Sequence, residues 1–130
     1  MIRTAICDLF GIELPIIQAP IASATCPELV AAVSNSGGLG MLSVTWRQPE
    51  EIRTVIRKTR ALTQKPFGVN LVLETDMHDR LNICLEEGVK IVSLFWGEPA
   101  RYGALCRSKR GANKRYPASG KDRASLETRN

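Results

Sequence analysis

Four short apolar runs, near residues 16, 40, 68 and 91, recur at intervals of 24, 28 and 23 residues. That spacing is the repeat of a strand followed by a helix that carries the chain back to start the next strand in parallel. The runs are apolar almost throughout, as strands covered on both faces are, which argues for a parallel sheet under helices. A closed barrel of eight such units takes about 250 residues. This 130-residue chain carries four units, and the pattern stops at Tyr102. The fold class predicted is therefore α/β. Residues 1–102 form the first half, about four βα units, of a TIM-type (β/α)8 barrel, and a basic, disordered tail follows over 103–130.

Local signals divide the repeat. Ile2, Ile6 and Phe10 at i, i+4 and i+8 predict a short opening helix, ended by Gly11. Pro15 to Ala19 reads as the first strand, closed by Pro20. Thr25 and Glu28 make a capping-box pattern for a helix with Leu29, Val30 and Val33 on its apolar face. Gly37 and Gly38 stop that helix before a strand from Leu39 to Val44. The next helix opens on Pro49, Glu50 and Glu51 at its positive end and carries Arg57, Lys58 and Arg60 near its negative end. Its inner face is Ile52, Val55, Ile56 and Leu62. A strand from Phe67 to Leu73 follows, then a helix marked by Met77, Leu81, Cys84 and Leu85 and stopped by Gly88. A strand from Ile91 to Trp96 completes the pattern.

Charge is unevenly spread. Residues 1–100 hold nine Lys/Arg and eleven Asp/Glu, whereas residues 101–130 hold nine Lys/Arg and two Asp/Glu. The net charge of +5 is thus a property of the tail, and the patterned part gives no reason to expect nucleic acid or a membrane as partner. Residues 103–130 contain no Val, Ile, Phe, Trp or Met. Such a segment buries too little apolar surface to offset its ordering entropy. Cys7, Cys26, Cys84 and Cys106 form no C-x-x-C pair, and a single histidine accompanies them, which argues against a zinc site. The start of the chain lacks a signal-peptide apolar run, and no stretch approaches the ~20 apolar residues of a membrane span. The expectation is a reduced, cytoplasmic protein with its cysteines in the core.

Function in a parallel barrel lies at the carboxyl ends of the strands. Three such ends are legible: Gln18-Ala19-Pro20-Ile21, Gly68-Val69-Asn70 and Phe95-Trp96-Gly97. Asn70 is the sharpest signal. A carboxamide inside an apolar strand needs a partner, and its donor and acceptor suit a heterocycle with both kinds of edge; the other reading is that it ties down a neighbouring loop. Gly37-Gly38-Leu39-Gly40 has the wrong order for a phosphate cradle, because its glycines follow a helix and precede a strand. It reads as a helix stop and a point of close packing. His78 reads as an exposed first-turn residue between Asp76 and Asp79. Trp46 and Trp96 are assigned to packing.

The segments LPIIQAPIASATCPELVAAVSNSGGLGML (14–42), RALTQKPFGVNLVL (60–73) and CLEEGVKIVSLFWGEPARY (84–102) resemble successive parts of the nitronate monooxygenase family, also called 2-nitropropane dioxygenases. The resemblance spans about residues 9–102. It implies an FMN-binding barrel that oxidises alkyl nitronates with oxygen to a carbonyl compound and nitrite. It also implies site residues. Ala19, Pro20 and Ile21 match the family turn whose backbone approaches the flavin, with Ile21 where the family usually has Met. Asn70 matches the asparagine that hydrogen-bonds FMN, and Cys26 stands where Thr is common. The family's catalytic histidine and Gly-rich phosphate-binding segments lie in later strands and have no counterpart here. No catalytic residue and no metal ligand is therefore assigned. FMN-dependent enoyl reductases share the first three segments, and the SLFWG stretch favours the nitronate enzymes over them.

The reading predicts an FMN oxidoreductase by family, inactive as this chain alone, with an alkyl nitronate as its small-molecule partner. The abrupt change at Tyr102 suggests a shifted frame or a truncated gene. Open apolar barrel edges predict self-association. A non-enzymatic fragment is an alternative. A doubly wound nucleotide-binding domain is disfavoured because the glycine fingerprint after strand one is missing. A nucleic-acid arm in the tail is disfavoured by the lack of interleaved aromatics.

Overall fold

A computed structural model describes residues 2–103 and 105. Three parallel strands run in the order β1 (Gly40–Ser43), β2 (Phe67–Val72), β3 (Ile91–Phe95). Four helices accompany them: α1 (Ala5–Phe10), α2 (Pro27–Asn35), α3 (Pro49–Leu62) and α4 (His78–Glu86). The last three expected strands, their order and their parallel sense are therefore present. The assignment of 103–130 to a disordered tail lies outside the described residues, apart from Gly103 and Leu105, which continue helically from a 3-10 turn at Pro99–Tyr102.

The first expected strand is reduced to one bridge, Ile17 to Leu39, parallel to β1. Gln18 N donates to Leu39 O and Leu39 N to Ile16 O, each at 2.9 Å. The ladder goes no further because Pro15 and Pro20 have no amide hydrogen to offer, and because a side chain takes the next rung. Met41 N donates to Gln18 Oε1 at 3.1 Å.

Strand alternation sorts residues to two sides. Leu42, Val69 and Leu71, all fully buried, face the helices and pack with Val30, Ile52, Ile56 and Leu81. On the opposite side, Leu39 and Met41 form a small apolar floor with Cys7, Ile12, Phe10 and Ile91. Helix α1 thus plugs the amino-terminal end of the half-barrel. Its packing face differs from the expected one: Cys7 is buried while Ile2 is 78% and Ile6 39% exposed. The helix is short, and the following turn through Gly11 (φ 69°) sets its orientation to bring Ile12 inward. Leu62 also departs from the expected inner face of α3 and is exposed at the last turn, where Thr59 is buried instead.

Gly37 to Gly40 serve packing. Gly37 has φ +94°, and a Cβ on Gly40 would lie 2.2 Å from Val30 O. Only glycine lets β1 pass that close to the α2 backbone. The capping box expected at Thr25 does not form. The cap of α2 is Cys26, with no side-chain bond, because Thr25 Oγ1 already accepts from Ile21 N at 2.6 Å. Glu28 is drawn to Lys58 on α3 at 2.5 Å instead. On the outer surface Arg53 and Arg57 of α3 grip Glu87, just after α4, at 3.1 and 2.7 Å. Those guanidinium groups, Arg57 first, hold the Glu87 carboxyl below the usual carboxylate range.

Candidate functional site

The carboxyl ends of the strands form one surface. Register places Ser43 beside Asn70 and Asn70 beside Ser93. A row of three polar side chains therefore crosses the sheet on the side away from the helices, above the Leu39 and Met41 floor. Each is the one polar residue of its strand (GMLS, FGVNLV, IVSLF). Asn70 is 7% exposed. Its main-chain oxygen accepts from Val44 N at 3.3 Å, while its carboxamide has no hydrogen-bond partner among the described residues. Its carboxamide keeps some solvent contact, because the buried side-chain polar atom left without a partner among the described residues is Arg80 Nε; the amide is therefore open on the side away from the helices. The alternative of tying down a loop finds no support in the bonds observed.

The loops above this row are laced together. Arg47 Nε donates to Ser43 O at 3.1 Å, and its Nη2 to Thr25 O at 3.2 Å, joining the loop after β1 to the loop after the first extended segment. Val72 N donates to Thr45 Oγ1 at 2.9 Å, and Leu73 N to Phe95 O at 2.8 Å. Ala19, Pro20 and Ile21 lie at the end of the first extended segment. Ala19 and Ile21 are exposed and Pro20 is half-buried. Gln18 Nε2 donates to Ala19 O, and the Ile21 amide is committed to Thr25. The bridge of Ile17 with Leu39 sets Ile21 as far beyond the bridge along its own segment as Ser43 is along β1. Sequence and fold thus bring Ile21 and Asn70 to one end of the sheet with Ser43 between them.

Two non-glycine residues among those described have left-handed φ, Ala22 at 40° and Trp96 at 59°. Both follow strand ends on this surface, where strain is found at sites that hold ligands. Trp46 and Trp96 are each 62% exposed, which corrects their assignment to packing. Both sit in turns just past strand ends, where neither the helices nor the sheet can cover an indole. Trp96 stacks on Phe95 at 5.0 Å. Cys7 and Cys84 are buried as expected, and burial pushes the Cys84 thiol up to about 12. Cys26 is exposed, because it caps a helix at the surface.

His78 begins α4. Its Nδ1 lies 2.5 Å from Asp76 Oδ1, and its ring stacks at 4.4 Å on Tyr102, whose hydroxyl accepts from Met77 N at 3.2 Å. The imidazole holds the Asp76 carboxyl below its ordinary range. Tyr102 belongs to the core on the helix side of the sheet, so this pair stands apart from the polar row. Sequence reasoning missed Ser43 and Ser93. The signal was present, a single polar residue at corresponding depth in each apolar strand. No cluster of metal-ligating side chains occurs among the described residues, and no helix among them is long and apolar enough to cross a membrane.

The model of the nitronate monooxygenase family matches residues 3–87. Among curated proteins, nitronate monooxygenase of Paraburkholderia phytofirmans is 52% identical over 69 residues, which are 53% of this chain and 19% of that protein. The (3aS,4S,5R,7aS)-5-hydroxy-7a-methyl-1-oxo-octahydro-1H-indene-4-carboxyl-CoA dehydrogenase of Rhodococcus jostii is 37% identical over 93 residues, 71% of this chain and 26% of the other. Among solved structures, FabK from Thermotoga maritima superposes with a TM-score of 0.79 at 37% identity, covering 84% of this chain and 35% of that one. The chain spans about a fifth to a quarter of the length of these curated relatives. Their names are those of oxidoreductases, and the likeness extends through the half-barrel that carries the polar row. With the family's model matched over residues 3–87, the chain belongs to the nitronate monooxygenase family.

Proposed function

We propose that residues 1–102 form one wall of an FMN site in an oxidoreductase of the nitronate monooxygenase type, which converts an alkyl nitronate to a carbonyl compound and nitrite. The observation that carries this reading is the carboxamide of largely buried Asn70, on the side of the sheet away from the helices, with some solvent contact and without a partner among the described residues. One amide donates and accepts, as the polar edge of a flavin ring requires. The residues present fit that group. Asn70 would meet the ring edge, and the backbone of Ala19, Pro20 and Ile21 would approach it from the neighbouring segment. Ser43 and Ser93 flank Asn70, and the Leu39 and Met41 floor excludes water beneath. FMN, when bound, supplies the redox chemistry, and the protein supplies position and electrostatics.

Proton acceptance has no candidate on this wall. His78 is occupied by Asp76 and Tyr102 on the helix side, and the glycines at 37–40 pack against α2 rather than cradle a phosphate. The 130-residue chain therefore binds flavin weakly and releases no nitrite by itself. Flavin fluorescence titration tests the reading. Asn70→Ala should weaken FMN binding by about one to two decades, the equivalent of one lost hydrogen bond to a buried polar edge. Equal affinity of the variant and the parent refutes it, and robust nitrite release from an alkyl nitronate by the chain alone refutes the assignment of proton transfer elsewhere.

A second reading keeps the flavin wall and changes the substrate to an unsaturated thioester, as in the enoyl reductases. It is favoured by the 37% identity over 71% of the chain to a dehydrogenase of a carboxyl-CoA compound. The family match, moreover, ends at residue 87, before the SLFWG stretch that tilts the balance to nitronates.

A further inference from the structure

The turn through Ala19, Pro20 and Ile21 runs into strained backbone. Ala22 has φ 40°, a left-handed conformation that a residue with a Cβ keeps only where its surroundings enforce it. Thr25, fully buried, supplies that enforcement. Its hydroxyl accepts from Ile21 N at 2.6 Å, and its amide donates to Ala22 O at 3.3 Å. Thr25 is in turn held from the next unit: its carbonyl accepts from Arg47 Nη2 at 3.2 Å. Arg47 is anchored on the sheet. Its Nε donates to Ser43 O at 3.1 Å and its amide to Val44 O at 3.2 Å, while Val44 N donates to Asn70 O at 3.3 Å. A continuous path of hydrogen bonds thus runs from Asn70 through Val44, Arg47 and Thr25 to Ile21. Every member belongs to the first three units, so the path is complete whatever adjoins the lateral edges of the sheet.

We propose that Arg47 is a positioning residue: acting through Thr25, it fixes the Ala19–Ile21 turn relative to Asn70, so that the two flavin-facing parts of the wall are set before the ligand arrives. The effect on FMN rests on the flavin reading of this wall; the effect on the turn does not. Arginine suits the task. A planar guanidinium aims its donors in fixed directions and reaches carbonyls on two segments at once, whereas a lysine ammonium is a point charge on a flexible stem. Without Arg47, the Thr25 carbonyl loses its donor and the left-handed Ala22 loses part of its constraint, so the turn spends time in other conformations. Ligand binding must then order the turn, which lowers the apparent affinity by the fraction of time the turn is correctly set.

Hydrogen exchange of the full 130-residue chain, measured without flavin, reads the turn directly. Arg47→Ala should speed exchange of the Ile21 amide about tenfold and leave the core amides of Leu42 and Val69 as in the parent. Arg47→Lys should not restore the slow rate. Guanidinium chloride at about 20 mM, too dilute to unfold a domain, should restore it in Arg47→Ala, and sodium chloride at the same concentration should not. Fluorescence titration of the same proteins should show FMN affinity lowered about tenfold by Arg47→Ala and recovered with guanidinium. An Ile21 amide that exchanges in Arg47→Ala as in the parent would overturn the proposal. So would faster exchange spread equally over Leu42 and Val69, because Arg47 would then hold the fold rather than the turn. FMN affinity untouched by Arg47→Ala but weakened by Asn70→Ala would overturn the positioning role and leave the flavin reading intact. FMN affinity untouched by Asn70→Ala refutes that reading, and the Ile21 exchange rate then decides the role of Arg47.

Discussion

Replacing Asn70 by leucine should make the protein more stable and a poorer flavin binder at once. The two side chains share a branched four-atom skeleton, leucine being the larger, and Asn70 is 7% exposed. In the parent, the carboxamide has no hydrogen-bond partner among the described residues but keeps some solvent contact, so its penalty is partial, about 1 kcal/mol at most. Leucine removes that partial penalty and adds apolar surface on the side of the sheet that carries Met41 and Ile91. Part of the gain is lost to imperfect fit, so a net stabilisation of about 1 kcal/mol is expected, a rise of roughly 4–8 °C in melting temperature for a domain of this size. FMN affinity should fall by about one to two decades over the same substitution. Urea unfolding followed by circular dichroism, at one fixed protein concentration, gives the first quantity, and flavin fluorescence gives the second. A variant destabilised by more than about 1 kcal/mol with unchanged FMN affinity would show that Asn70 serves the fold, and the reasoning would fail.

Other outcomes follow from single contacts. Gly40→Ala sets a Cβ 2.2 Å from Val30 O, backbone against backbone, and should cost about 3 kcal/mol or more. Gly88→Ala, with φ +74° and its nearest atom at 3.9 Å, should cost about 1 kcal/mol; paired urea melts compare the two. Glu87 has its folded-state pKa lowered by Arg57 and Arg53, so its contribution is complete above the unfolded carboxyl value of about 4.3 and fades as pH falls through the lower folded value. Glu87→Gln should therefore lower stability at neutral pH and flatten the acid limb of a stability profile below about pH 4. In the native protein at pH 8, iodoacetamide with peptide mapping should modify exposed Cys26 and spare Cys84. Burial holds the Cys84 thiol at about 12, and unfolding should release it.

The strands and their order were legible because β-branched runs at a fixed interval leave few alternatives once sheet and helices must cover one another. Asn70 was legible for the same reason, as the polar residue that an apolar strand cannot explain. What escaped the sequence was competition between neighbours. Thr25 has the pattern of a helix cap, yet Ile21 N reaches its hydroxyl first. Pro15 to Ala19 has the composition of a strand, yet its flanking prolines and the Gln18 carboxamide reduce pairing to one bridge. Trp46 and Trp96 have the size of core residues, yet they fall three residues and one residue past the ends of β1 and β3 and are exposed. Ser43 and Ser93 became visible only when register set them beside Asn70.

The central claim is that the Asn70 side chain is the flavin-facing group of this half-barrel, and nuclear magnetic resonance of its own carboxamide addresses it most directly. Asn70→Asp identifies the side-chain NH2 pair in a ¹⁵N correlation spectrum by its disappearance. On titration with FMN, that pair should shift and saturate together with the backbone amides of Ala19 and Ile21. An unmoved Asn70 pair, while FMN shifts resonances elsewhere or nowhere, would contradict the account.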